Sequence, residues 1–317
     1  MRAAELSSWG TEVRLVERPE PVPGAGEVRV GMEAANVGHL DLTVMSGTFA
    51  HRPELPFTPG TSGVGRVIGT AEGEERWKGR RVLLRGGGLG LERPGTWAER
   101  TVVSGAVLRE IPESADAGLA ATCYSPLSTG WASVDAVGRV QAGEVVVVTG
   151  ASGAVGSMCV QLAHRAGARV LAMVSGPERT GLVPAGAEEV LAGWDEEAVR
   201  RIAAAGGADV LIDPVGGDTL PLLLPALRPG ARVVLVGYVR GKALSVDLPN
   251  LLAADVSLLP VNMIRREVPD EVFDGLLGDL IEGRLTLGTA VRPLSEISEA
   301  LRVLQAPGTG GTVAVTC

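Results

Sequence analysis

The sequence predicts an α/β fold in two parts, a β-rich domain and a doubly wound parallel-sheet domain. Three features carry that prediction. Short strands bounded by Gly and Pro fill the region before residue 114, apolar runs alternate with helical patterns after residue 144, and a glycine-spaced loop joins the first such run to a helix. A chain of 317 residues fits about two domains. With 45% hydrophobic residues, 44 Gly and only 3% aromatics, the composition suits closely packed layers whose buried strands are built from Val, Ile and Leu.

In chain order, 26–38 ("GEVRVGMEAANVG"), 63–73 ("GVGRVIGTAEG") and 79–87 ("GRRVLLRGG") read as strands separated by turn residues. Helical periodicity is scarce before residue 114. "NVGHLDL" (36–42), which holds one of only three histidines, therefore reads as a loop carrying His39 and Asp41. "EVVVVTG" (144–150) is a continuous apolar run of the kind a central parallel strand needs. "AVGSMCVQLAHRAG" (154–167) then sets Val155, Met158, Cys159 and Leu162 at helical spacing, with Gly167 as C-cap. Strands return at 168–174, 208–217 and 231–239, with "TLPLLLPALRPG" (219–230) as a crossover helix, so right-handed βαβ units are expected. Helices at 269–283 and 294–305 precede a final strand, "GTVAVTC".

The loop between the strand 144–150 and the helix 154–167 carries the chemistry. Gly150, Gly153 and Gly156 are spaced G-x-x-G-x-x-G, with Ala151 where the dinucleotide fingerprint has its first glycine. Gly153 lets the backbone approach a pyrophosphate, and Gly156 lets the helix pack close to the strand. The helix N-terminus offers unpaired N–H groups and the positive end of its dipole. The next strand discriminates between cofactors. An NAD site places Asp or Glu at its end, whereas "MVSGPER" has Ser175 and Gly176 there, with Arg179 following. A short Ser leaves room for a 2′-phosphate and Arg179 can pair with it, so NADPH is expected. The plainer reading of Arg179 is a solvated surface residue beside Glu178.

Bulk properties exclude other classes. A net charge of −8 and a pI near 5.1 argue against a nucleic-acid or anionic-membrane surface. No run of about 18 apolar residues occurs, and "MRAAELSSWG" lacks a signal-peptide core. Three scattered cysteines, Cys123, Cys159 and Cys317, form no disulfide framework. A cytoplasmic location is the expectation.

Several segments together resemble the medium-chain dehydrogenase/reductases. "PFTPGTSGVGRV" (56–67) is similar to that family's P-G-x-x-x-x-G-x-V segment, "GTWAER" (95–100) to its G-x-x-A-E turn, and "SPLSTGWASV" (125–134) to its entry into the cofactor domain. "GADVLIDPVGG" and "RPGARVVLVG" match its strand ends. The resemblance implies a GroES-like catalytic domain over 1–120, completed by 259–317, and a Rossmann NADP-binding domain over 121–258. It implies that Thr129, Ser152, Ala154, Val155, Val215, Gly237, Tyr238 and Asn262 join the glycines, Ser175 and Arg179 around the cofactor. By analogy with such relatives a homodimer is expected, with 231–239 as a candidate sheet edge.

Where zinc-dependent members carry their metal ligands, this chain has Gly38, Thr61-Ser62 and Ser125, and "GGGLGLERPG" (86–95) lacks the cysteines of the structural zinc lobe. No metal is expected. The resemblance then points to the zinc-free branch, the quinone oxidoreductases and related enoyl and alkenal reductases, which pass hydride from NADPH to an electron-poor C=C or a quinone. There the conjugated carbonyl stabilises the charge left by hydride attack, so orientation and hydrogen bonds suffice.

Candidates for proton transfer are His39, Tyr124 and Asp41. His39 reads equally as a cofactor contact, a proton-transfer group or a structural residue. Asp41 reads as its tautomer-fixing partner or as a local backbone cap. Phe49 stands where relatives have a Tyr, and Gly38 where they have an Asn, so both are placed in the substrate pocket. His51 and His164 carry less interest, His164 reading as a surface residue of its helix. Two alternatives remain: a pathway-specific enoyl-thioester reductase of polyketide or natural-product biosynthesis, and a catalytically silent NADPH-binding regulatory protein.

Overall fold

The four valines Val145–Val148 are all buried, and they form the centre of a six-stranded parallel sheet. The order across this sheet is Glu189–Ala192, Arg169–Val174, Val145–Val148, Ala208–Asp213, Leu227–Leu235 and Ser257–Pro260. Every neighbouring pair is parallel. Strands covered on both faces need no polar alternation, which is why they read as unbroken apolar runs. The order is that of a Rossmann sheet, and its direction reverses between Val145–Val148 and Ala208–Asp213. Ligands of such sheets bind beyond the carboxyl ends of strands at this switch point.

The computed structural model describes residues 1–49, 52–263, 265–306 and 310–317. His51 lies outside them. The chain divides into two compact units, Met1–Tyr124 with Gly288–Cys317, and Ser125–Leu287. Residues 121–124 thus stay with the first unit, and the second runs 29 residues beyond the expected 258. Three ties hold this extra segment. Ser257–Pro260 pairs with Leu227–Leu235, and the Gln161 side chain both donates to Thr286 O and accepts from Thr286 N at 2.8 Å. Arg165 bonds Asp279 of the helix Asp270–Ile281 at 2.5 Å. The strand expected at 231–239 is observed at Leu227–Leu235 and is paired on both sides, so it is not an edge; Ser257–Pro260 takes that place.

The helix Ala154–Arg165 ends as its sequence predicts. Gly167 adopts φ +84°, its N–H donates to His164 O at 2.9 Å, and the Ala168 N–H donates to Ala163 O at 3.1 Å. This Schellman arrangement satisfies carbonyls that the helix end would otherwise strand.

In the first unit, Glu27–Val37 is the organising strand. Its burial nearly alternates, as a half-covered antiparallel strand requires. It pairs with Ser62–Thr70, Arg100–Ser104 and the C-terminal Thr312–Thr316. Thr289–Pro293, Arg81–Arg85 and Leu108–Glu110 complete a seven-stranded sheet. Arg2–Glu5 and Arg14–Glu17 form a separate antiparallel pair. One core gathers Leu6, Val37, Met45 and Trp97 with Ile297 and Leu301 of the helix Ile297–Gln305. Each such large apolar side chain contributes about 1.5–3 kcal/mol by leaving water. Trp97 is fully buried, and its Nε1–H donates to Asn36 O at 2.7 Å.

The stretch 39–45 corrects the loop expected there. His39–Met45 is a helix with Gly38 as N-cap, burying Asp41, Val44 and Met45. Among the described residues, no helix is long and apolar enough to cross a membrane.

Candidate functional site

In the second unit, Thr149 and Gly150 leave the strand Val145–Val148 and turn at φ +58° into the glycine loop. A Cβ added at Gly156 would stand 2.2 Å from Gly150 O, so only glycine lets the helix approach the strand this closely. Gly153 is the N-cap with no side-chain hydrogen bond capping the helix, which leaves the first-turn N–H groups of Ala154, Val155 and Gly156 to another acceptor. This cradle suits a phosphate. The Gly150 backbone approaches Val215, since an added Cβ would lie 2.8 Å from Val215 Cγ2.

Asp213, which sequence reasoning missed, fixes the opposite wall. It is 1% exposed, and its Oδ1 accepts from Thr149 Oγ1 at 2.6 Å, Val215 N at 3.0 Å and Gly216 N at 3.1 Å. Its carbonyl accepts from Val236 and Gly237 N–H groups at 3.0 and 3.2 Å. One buried residue thereby ties three strand ends across the switch point, its carboxyl holding Thr149 and its own loop and its backbone carbonyl holding Val236 and Gly237. A further bond, Arg240 N–H to Val215 O at 3.0 Å, draws the segment after Gly237 against Val215. A signal existed in "ADVLID": an acid ending an otherwise buried apolar strand must be hydrogen-bonded.

The other residues expected at the cofactor lie on several elements of the same unit. Ser175 is exposed just past the strand Arg169–Val174. Arg179 lies on the 3-10 turn Pro177–Leu182, and its Nε–H donates to the buried Ser152 Oγ at 3.1 Å. The guanidinium is thus anchored to the glycine loop itself. Tyr238 is 61% exposed, and Asn262 is also exposed. Thr129 is buried on the helix Tyr124–Trp131, its carbonyl accepting from Ser133 Oγ at 2.7 Å.

In the first unit, Asp41 is wholly buried. Its Oδ2 accepts from Gly38 N–H at 2.8 Å, closing the N-terminus of the helix His39–Met45. Burial pushes its carboxyl up to about 7; the N–H groups of Gly38, Thr61 and Gly60 oppose this by favouring the ionised form. Oδ1 itself has no partner at bonding geometry among the described residues, so the Gly60 and Thr61 amides act on it as dipoles nearby. His39 keeps an exposed surface on the first turn, yet the protein flanking it desolvates the ring and lowers its pKa. It is neutral at pH 7, offering one donor and one acceptor rather than a charge.

Gly38 is backed by Asn36, whose Nδ2 would lie 2.9 Å from an added Cβ. Phe49 is half-buried, three residues beyond Ser46, the C-cap of this helix. Thr61 and Ser62 are half-buried, and Ser62 Oγ donates to Ala121 O at 3.3 Å. Tyr124 Oη accepts from Arg85 Nη1 at 2.6 Å. Among the described residues, no three His, Cys, Asp or Glu side chains gather into a metal-binding cluster. His164 is exposed on its helix.

Comparison with known proteins matches both units. An alcohol dehydrogenase GroES-like domain model covers residues 24–113, and a zinc-binding dehydrogenase model covers 154–277. The chain is 32% identical over 305 residues to quinone oxidoreductase-like protein 2 of Mus musculus, spanning 92% of this chain and 85% of that protein. It is 28% identical over 291 residues to the quinone oxidoreductase of Rattus norvegicus, spanning 89% and 86%. The quinone oxidoreductase of Thermus thermophilus, also solved with NADPH, superposes with TM-score 0.80 at 30% identity over 100% of both chains. With a family model matched in each unit and a relative 32% identical over 92% of this chain, the protein belongs to the medium-chain dehydrogenase/reductase superfamily of oxidoreductases, in its quinone oxidoreductase branch.

Proposed function

We propose that the chain is a zinc-independent, NADPH-dependent reductase of an electron-poor C=C or a quinone. The observation that carries the cofactor assignment is the Arg179–Ser152 bond of 3.1 Å, beside Ser175 where an NAD site would have an acid. It holds a guanidinium at the glycine loop beside the exposed Ser175, where it can pair with a 2′-phosphate once the Glu178 carboxylate, packed over Gly176, moves aside. When bound, NADPH supplies the hydride. The chain's own residues bind and orient. Gly153 with the helix start would receive the pyrophosphate, Asp213 holds Val215 and Gly237 in place, and Thr129 joins the nicotinamide end of the site.

A catalytic Zn²⁺ does not fit this chain. Gly38, Thr61, Ser62 and Ser125 offer no thiolate, imidazole or carboxylate. The acceptor must then carry its own electron sink, which a conjugated carbonyl or a quinone does and a simple ketone does not. We assign Asp41 a positioning role, since it is buried and committed to Gly38 N–H. His39 is assigned as a hydrogen-bond donor to the acceptor oxygen, with solvent able to complete protonation.

The three cysteines are free, which suits a reducing cytoplasm, and burial pushes their thiols up to about 12, which keeps them unreactive. A homodimer belongs to the same proposal, and sedimentation velocity tests it. The functional reading is tested by NADPH and NADH consumption against a quinone, an alkenal and a crotonyl thioester. Turnover of at least one acceptor with preference for NADPH is expected. NADPH binding without turnover of any acceptor would mark a silent binding protein instead. Replacing His39 by Gln should lower kcat at unchanged NADPH affinity; a raised NADPH Kd would make it a cofactor contact.

A further inference from the structure

Arg85 closes the strand Arg81–Arg85 and is half-buried. Nearby strand arginines end on carboxylates: Arg81 on Glu33 at 2.8 Å, Arg66 on Glu113 at 2.7 Å, Arg100 on Glu20 at 3.0 Å. Arg85 instead meets a neutral phenol. Its Nη1 donates to Tyr124 Oη at 2.6 Å, and its guanidinium carbon lies 4.1 Å from the Tyr124 ring centroid. Among the described residues, no ion pair reaches it. A guanidinium has five N–H donors; the phenol takes one and the ring covers one face by cation–π attraction. The remaining donors are presented in one fixed plane. A half-buried cation without counter-charge has lost hydration that an arriving anion offsets. Ser62 lies directly opposite Arg85 in the strand ladder, so their side chains share one face of the sheet. That face therefore carries a pre-oriented cation, with the Ser62 hydroxyl beside it already donating to Ala121 O at 3.3 Å.

We propose that Arg85, held by Tyr124, is a specificity-determining residue that recognises a carboxylate on the acceptor. The preferred acceptor is then an anionic enone or quinone. The proposal deepens the reductase reading and rests on it for the acceptor, while the anion site itself can be tested without turnover.

The experiment has two arms. In the first, NADPH consumption is compared for trans-4-oxopent-2-enoate and its methyl ester. The wild type should favour the carboxylate roughly tenfold or more in kcat/KM, mainly through KM. Arg85→Gln should bring the ratio toward unity, and Arg85→Lys should retain part of it. In the second arm, benzoate and benzamide are titrated into the protein by calorimetry, with no acceptor present. Benzoate should bind the wild type and be lost with Arg85→Gln, while benzamide binds neither. A wild type that reduces both acceptors equally, or benzoate binding that survives Arg85→Gln, overturns the proposal. Arg85-dependent benzoate binding with neither acceptor reduced would leave the anion site standing and sink the reductase reading. If Arg85→Gln fails to fold, the Arg85→Lys ratio and its benzoate affinity decide; an undiminished value of either would overturn it.

Discussion

Replacing Asp41 by Asn separates the charge of a buried carboxyl from its shape. Asn keeps an acceptor for the Gly38 N–H, which Asp41 Oδ2 now holds at 2.8 Å. Burial raises the Asp41 carboxyl from its ordinary 3.8 to about 7. The native state therefore holds a proton that the unfolded chain has released, throughout the window between those values. Stability falls as pH rises through that window, because the native state binds more protons there. The full gap corresponds to about 4 kcal/mol, and the part between pH 5 and pH 8 to roughly 2–3 kcal/mol. Any fixed cost of burying the new amide NH₂ cancels when the substitution is compared at those two pH values. The assay is thermal and urea unfolding of both proteins. Relative to wild type, Asp41→Asn should gain roughly 3–5 °C more in Tm at pH 8 than at pH 5, since unfolding a chain of this length carries roughly 0.7 kcal/mol/K of entropy. A difference between the two proteins that does not change with pH, or that turns against Asn at high pH, would mean that Asp41 is not held protonated in the native state.

Other outcomes follow from the second unit. Arg179→Ala should raise the Kd for NADPH about tenfold or more while changing that for NADH less than about threefold, read by fluorescence titration. Gly156→Val would set a side chain 2.2 Å from Gly150 O, so the helix must shift; loss of NADPH binding and at least about 2 kcal/mol of stability are expected in titration and melting. Thr149→Val removes the 2.6 Å bond to Asp213 but leaves its two N–H donors. About 1–2 kcal/mol should be lost in urea unfolding, with NADPH affinity weakened through displaced Val215.

The four inner strands of the parallel sheet were legible because they are largely buried runs and the glycine loop has strand before and helix after; the half-exposed edge strands Glu189–Ala192 and Ser257–Pro260 gave no such run. The helix His39–Met45 was not. Seven residues hold fewer than two full turns of periodicity, and the choice of Asp41 between cap and tautomer partner turns on a contact with Gly38 that spacing alone does not distinguish. Asp213 was hidden because its three donors come from a loop and from Thr149, which is 64 residues away. The division at Leu287 depends on Gln161 meeting Thr286 across 125 residues, beyond any local pattern. Arg85 gained its interest only from register, since nothing in "RRVLLRGG" reveals that Ser62 stands opposite or that Tyr124 stacks on it.

The proposed function stands on hydride delivery to a conjugated C=C without zinc. The most direct measurement is a turnover of an enone with NADPH carrying deuterium at C4, using protein whose metal content has been quantified. The expected product is a saturated ketone with deuterium at the β-carbon, formed by protein with no stoichiometric zinc. Deuterium on a carbinol carbon, with zinc bound at one per chain, would contradict the proposed function.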